Sequence, residues 1–187
     1  MINEKGLLRA MKNAYRGGGY EVAGYGEENN LFINGYSWCV AVPQKQCPRK
    51  VLALLVEHVG LIPEGGDAFR VQKAEGAQCV LLSAVLGPKE GLKRLMHNEG
   101  AEEIRKTAMT WKGWRIWQKT DSGVVMAFDS GLTAIGLGEP DTYGDFLVWD
   151  EAGEVVCVMP GKDVLDLEFR ELLEKTELAA ERQECDE

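Results

Sequence analysis

Histidine is almost missing from this chain: two of 187 residues, His58 and His97. Neither has another histidine or a cysteine three or four positions away, the spacing that would set two zinc ligands on one helical turn. Cys47 and His58 fall on one expected helix but eleven residues apart, a rise of about 16 Å that no single ion spans. The carboxylates offer no better set. Asp121, Asp129, Asp141, Asp145 and Asp150 all lie in or beside turn-like sequences, where aspartate is favoured for the hydrogen bonds it makes to nearby backbone. No metal ligand and no cofactor is expected; a carboxylate-held magnesium is the one metal the pattern leaves open.

Long apolar runs are missing too. "VLALLV" and "CVLL" are far short of the roughly 20 residues that cross a bilayer. The opening "MINEKGLLRAMKNAY" carries charge through its first turns and has no apolar export core. The five cysteines are odd in number and lack C-x-x-C spacing. Cys39, Cys79 and Cys157 sit in the strand-like runs "WCVAV", "CVLLSAV" and "VVCVM", and read as small buried hydrophobes. A cytoplasmic protein with no membrane partner is the expectation.

Catalytic motifs are the third absence. Ser122 and Ser130 stand in "TDSG" and "FDSG", turn tetrapeptides and not the strand-to-helix elbow of G-x-S-x-G. "YRGGGYE" is glycine-rich, with Arg16 beside it. Its order is helix, glycines, strand, the reverse of a phosphate loop, so the amides of a helix N-terminus do not face an anion there. A cysteine–histidine pair assembled across the fold, such as Cys47 or Cys79 with His97, would be invisible in the sequence, as would a pair of carboxylates. No catalytic residue is assigned.

Glycine, by contrast, is abundant: 22 residues, where average usage gives roughly 13. Glycines punctuate short apolar runs, which reads as many tight turns. Residues 4–15 place Leu7, Leu8, Met11 and Tyr15 at helical spacing, and "GGG" at 17–19 stops the helix by supplying left-handed positions. Strand-like runs follow, "YEVAGYG", "NLFINGY" and "SWCVAVP". Residues 47–59 read as a helix with Pro48 in its first turn and Gly60 as its stop. "FRVQKAEGAQCVLLSAV" reads as a hairpin turned at Glu75-Gly76.

Pro88 then opens a further helix with Leu92, Leu95 and Met96 as its stripe. "AEEIRKTAM" has no clear type. "TWKGWRIWQK" and "VVMAFDSG" form a hairpin around "TDSG", "LTAIGLG" reads as another strand, and "DFLVWDEAGEVVCVMPG" is the clearest hairpin in the chain. Residues 163–182 form the clearest helix, with Asp163 as N-cap and Leu165, Phe169, Leu172, Leu173 and Leu178 inward. The fold class expected is α+β, a mainly antiparallel sheet with about four helices. "GLLRAMKN" at 6–13 matches "GLKRLMHN" at 91–98 in five of eight positions, a hint of two similar halves, 1–87 and 88–187.

Net charge is −9, unevenly spread: from Lys162 onward it is −6, so the first 161 residues carry only −3. Such a chain can still hold a local basic face. The helix at 4–16 carries Arg9, Lys12 and Arg16, and the one after Pro88 carries Lys93 and Arg94. "MTWKGWRIWQK" at 109–119 interleaves three tryptophans with positive charge. Read as one strand, it puts Trp111, Arg115, Trp117 and Lys119 on one face and Trp114 on the other. That face is either core with snorkelling cations or a platform for a protein or nucleic acid.

The leading functional expectation is a non-catalytic interaction or accessory protein with a protein partner. A second is a DNA-processing accessory, because helices followed by consecutive strands in an acidic chain are compatible in architecture with DNA sliding clamps. That reading implies a homo-oligomeric ring with basic helices toward the duplex. A third is a hydrolase with a carboxylate or Cys–His site assembled across the fold.

Overall fold

The computed structural model describes residues 2–87, 103–151 and 154–163. Helix α1 (Glu4–Arg16) is fixed at its start by Asn3, whose extended backbone lets its side-chain oxygen accept from the amides of Lys5 at 3.1 Å and Gly6 at 3.3 Å. Those donors have no carbonyl partner within the helix. Leu7, Ala10 and Met11 form the buried stripe, with Leu8 and Tyr15 packed at its border. The glycine run ends α1, but the left-handed residue is Gly19, at φ 90°, and not the cap residue Gly17, at φ −96°.

The three expected strands follow: β1 (Tyr20–Tyr25), β2 (Asn30–Asn34) and β3 (Cys39–Pro43). A 3-10 turn over Gln44–Gln46 leads into α2 (Arg49–Val59). Gly60, at φ 91°, stops α2 and its amide donates to the Val56 carbonyl, as a left-handed C-cap requires.

β4 (Ala68–Gln72) and β5 (Gly76–Cys79) pair across the Glu75-Gly76 turn. The sequence reading runs the second of these strands on through "VLLSAV" and opens the next helix at Pro88. In the fold the strand ends at Cys79, and residues 82–87 are already helical (α3). Leu82, Val85 and Leu86 stand three and four apart, so a helix sets all three against the sheet, whereas a strand would divide them. Three α-helical segments are thus described, besides the 3-10 turn, where about four helices are expected. The helices read after Pro88 and over 163–182 lie outside the described residues, apart from Asp163, which is strand and not the expected N-cap.

The C-terminal part supplies β6 (Ile104–Trp111), β7 (Trp114–Lys119), β8 (Val125–Asp129), β9 (Asp141–Tyr143), β10 (Phe146–Glu151), β11 (Glu154–Pro160) and β12 (Lys162–Asp163). "LTAIGLG" is not the strand it resembles. Asp129 Oδ1 accepts from the amides of Gly131 at 2.7 Å and Leu132 at 3.2 Å, which folds the chain into consecutive turns, with Ile135 fully buried.

The strands make two antiparallel sheets, one of eight in the order β5-β4-β1-β2-β3-β11-β10-β9 and one of four in the order β12-β8-β7-β6. Pairing of β3 with β11, Val40 opposite Cys157 and Cys39 opposite Val158, carries the large sheet across both segments, 1–87 and 88–187. The first segment puts its five strands in the large sheet and the second divides its seven between the two sheets. The second member of the sequence match, residues 91–98, lies outside the described residues.

One face of the large sheet, with Val22, Ile33 and Leu147, meets α1, α2 and the inner face of the small sheet in the main core. The opposite face, with Phe32 and Val148, is covered by α3 through Val85. Full burial of each large apolar side chain contributes about 1.5–3 kcal/mol. No helix among the described residues is long and apolar enough to cross a membrane.

Candidate functional site

The tryptophan stretch is not one strand. Lys112 and Gly113 have φ of 46° and 88°, so the chain reverses there in a two-residue turn with both central residues left-handed, the geometry whose twist matches a hairpin. Trp111 ends β6, Trp114 begins β7, and the two lie directly opposite each other. This corrects the expected face. Trp111 belongs with Trp114 and Ile116, while Arg115, Trp117 and Lys119 point to the other side of the small sheet.

The outer face of the small sheet is a compact apolar cluster. Ile116 and Ala127 are buried at its centre, with Met109, Trp111, Trp114 and Val125 half-buried around them. Cations stand over both rings: Lys112 Nζ is 4.1 Å from the Trp111 ring centre and Lys162 Nζ is 5.3 Å from that of Trp114. Lys162 reaches this face because β12 sets it opposite Ala127. Each such contact is worth about 0.5–1 kcal/mol where exposed.

The inner face turns to the core. Trp117 is 5% exposed and meets Phe128 edge-on, ring centres 5.9 Å apart. Lys119 Nζ pairs with Asp145 at 2.7 Å. Arg115, Lys106 and Trp117 form one wall of a cleft of about 50 Å³, with Thr133, Glu139 and Trp149 among the residues opposite. Lys106 Nζ donates to both Glu139 carboxylate oxygens, at 2.8 and 3.0 Å. That hydrogen bond, then the Lys106 charge, and more weakly Arg115, hold the Glu139 carboxyl below the usual carboxylate range.

The helical cations expected to join this surface are elsewhere. Arg9 Nη2 donates to the Gly131 carbonyl at 3.0 Å and so ties α1 to the turns after β8. Lys12 and Arg16 are exposed on α1, which packs on α2, β1 and β4. Lys93 and Arg94 lie outside the described residues. The chain thus divides its sequence-predicted contact residues among an outer face, a cleft and a helix.

A second polar cluster was not legible at all. His58, on the last turn of α2, stacks on Tyr15, ring centres 3.8 Å apart, and its Nδ1 is 3.0 Å from Tyr20 Oη. Burial, and secondarily Tyr15, hold the Tyr20 phenol well above its usual range, so it is the donor to a neutral imidazole. Burial lowers the His58 pKa; Glu57 opposes this and Lys12 adds to it. Protonation would remove the acceptor that Tyr20 uses. A depressed folded pKa means that the unfolded chain takes the proton first as pH falls. Stability should be flat above about pH 7 and fall once pH drops below about 6.5 toward the lowered folded value. Denaturant midpoints measured from pH 8 to 5 on wild type and His58→Gln check this: the variant should lose that part of the slope.

Three of the four described cysteines are sealed from solvent. Cys39, Cys47 and Cys157 are buried and form no disulfide, and burial pushes Cys47 up to about 12 and Cys157 well above its usual value. Cys79, expected to be buried, is exposed, because β5 is an edge strand. No group of three histidine, cysteine, aspartate or glutamate side chains among the described residues is placed to hold a metal ion. No family model matches the chain, and neither a curated protein nor a solved structure does. The fold itself defines a protein of the α+β class with two antiparallel sheets.

Proposed function

We propose that this is a non-catalytic, cytoplasmic interaction protein, and that the outer face of the small sheet meets a protein partner carrying apolar and acidic side chains. The observation that supports this reading is the pair of half-buried tryptophans at one hairpin tip, each with a lysine ammonium over its ring. Rigid aromatic rings supply contact area at small entropic cost and are the residues most often dominant at interfaces. The two ammonium groups favour an acidic partner segment. Buried cysteines that form no disulfide, Cys47 and Cys157 among them, suit a reducing compartment.

The experiment is a comparison of proteins retained from the native host's lysate by immobilised wild type and by Trp114→Ala. Trp114 is half-buried on the surface cluster, so the fold should persist by circular dichroism. A partner that uses this face should bind the variant about 30-fold more weakly, a hot-spot loss of about 2 kcal/mol. Equal retention of every captured protein would refute the reading. The same rings and lysines would also serve a single-stranded nucleic acid. A DNA-clamp role would show as ring oligomers in light scattering and as strongly salt-dependent DNA binding.

A further inference from the structure

We infer that the cleft between the inner face of the small sheet and the 133–140 segment is a binding subsite for a single carboxylate group, independent of the outer tryptophan face. The first observation is a missing acceptor. The indole N–H of Trp117 is buried and has no hydrogen-bond partner among the described residues, and Trp117 forms part of the cleft wall. Buried indole donors ordinarily find an acceptor. The tryptophan across the cleft does: Trp149 Nε1 donates to the Gly138 carbonyl at 3.2 Å. The polar group left without a partner at this wall among the described residues is therefore a donor, the Trp117 indole, and not an acceptor.

The second observation is charge. Lys106, Arg115 and Glu139 border the cleft, a local balance of +1 in a chain of −9. Lys106 and Glu139 are engaged with each other, which leaves the Arg115 guanidinium as the cation for an incoming anion. Its planar fork of donors matches a carboxylate. The third is size. A water needs roughly 10–15 Å³ of such volume, so about 50 Å³ admits a carboxylate and its first carbon. A phosphate dianion would be larger and would meet the Glu139 carboxylate with a charge the cleft does not balance. One oxygen would accept from Trp117 Nε1 and the other from Arg115.

The carboxylate could belong to a small free acid or to a polypeptide's acidic side chain or C-terminus. The test uses protein with ¹⁵N-labelled indoles, whose five tryptophans give one Nε1–H resonance each. Trp117→Phe removes and so assigns one of them; should that variant not fold, contacts to Phe128 identify the resonance in wild type. Sodium acetate, N-acetylglutamate and a short peptide ending in glutamate are titrated in turn, with sodium chloride as the control. The subsite predicts a saturable downfield shift of the Trp117 indole proton with at least one carboxylate and none with chloride. Arg115→Gln should raise that dissociation constant about tenfold, the loss of one charge-assisted bond. Saturation by acetate points to a free acid, and saturation by the peptide alone to a polypeptide. An indole that no carboxylate shifts, or that chloride shifts equally, would mean that the cleft holds only water, and would overturn the proposal.

Discussion

Phe128→Ala should destabilise the protein by about 3–5 kcal/mol, in the range found for phenylalanine truncations in packed cores. Phe128 is fully buried at the middle of the small sheet, on β8. Its ring takes the edge of Trp117 on the neighbouring strand. It also lies under the point where the chain crosses from the large sheet to the small one: a Cβ added at Gly161 would fall 2.7 Å from the ring. Removing the ring opens a void where the two sheets meet, and the backbone at Gly161 cannot collapse into it without shifting both β11 and β12. For a chain of this length each kcal/mol lowers the melting temperature by about 2–4 °C, so a fall of about 6–20 °C is expected. Because β3–β11 pairing makes the large sheet continuous, unfolding should remain a single transition in wild type and variant. Phe128→Leu, which keeps most of the volume, should cost less than half as much. A loss below about 1 kcal/mol from Phe128→Ala, or two separate transitions, would show that the small sheet does not share the main core.

Much of the fold was legible because its signals are local. An apolar stripe stopped by the glycines at 17–19, another stopped by Gly60, and strand-like runs between glycines give α1, α2 and β1–β3. The failures have physical reasons. "CVLLSAV" is apolar apart from Ser83 and fits a strand as well as a helix. Only the sheet beneath decides, because Leu82, Val85 and Leu86 must all face it. "LTAIGLG" alternates like a strand, but Asp129 captures two following amides and turns the chain before it can pair. In "TWKGWRIWQK" the Lys-Gly pair is the turn. Lysine rarely adopts positive φ, so the reversal was masked, and with it the true faces. Reading it as a single strand joined Trp111 to Trp117, which the hairpin puts on opposite sides of the sheet.

The candidate sites were less legible than the fold. Trp117 meets no acceptor among the described residues although Trp149 and the 133–140 segment border the same cleft, and nothing in the local sequence encodes that juxtaposition. The stack of Tyr15 and His58 joins two helices through contacts of long sequence separation. The outer tryptophan pair alone left a sequence trace, since "WKGW" places two aromatic residues across a two-residue turn once the glycine is recognised as its pivot. The abundance of glycine was also only half explained by turns. Several glycines allow close approach instead, among them Gly136 beneath the Trp149 ring and Gly6 on α1.

Gly6→Ala carries the other large expected loss. In isolation the change should help, because alanine in a helix is favoured over glycine by about 1 kcal/mol. The environment reverses the sign. A Cβ at Gly6 would lie 2.0 Å from the Ala134 carbonyl oxygen and 2.6 Å from its carbonyl carbon. These are backbone atoms, so no side-chain rotation relieves the overlap. Either α1 or the turns after β8 must move. Both are tied: Asn3 N–H donates to the Ile135 carbonyl at 2.8 Å, Arg9 holds the Gly131 carbonyl, and Ile135 is fully buried. Overpacking of this kind typically costs about 1–3 kcal/mol. That should outweigh the gain in propensity and lower the denaturation midpoint. Gly17→Ala, at the end of the same helix, is the internal control. Its Cβ would meet nothing closer than 3.5 Å, so no steric overlap of the Gly6 kind arises there, and the loss should be smaller than at Gly6. If Gly6→Ala proved neutral or stabilising, α1 would not be docked on the 134–135 backbone. The link between the first helix and the small-sheet half of the molecule would then be wrong, and the close approach that excludes every side chain but glycine at position 6 would not exist.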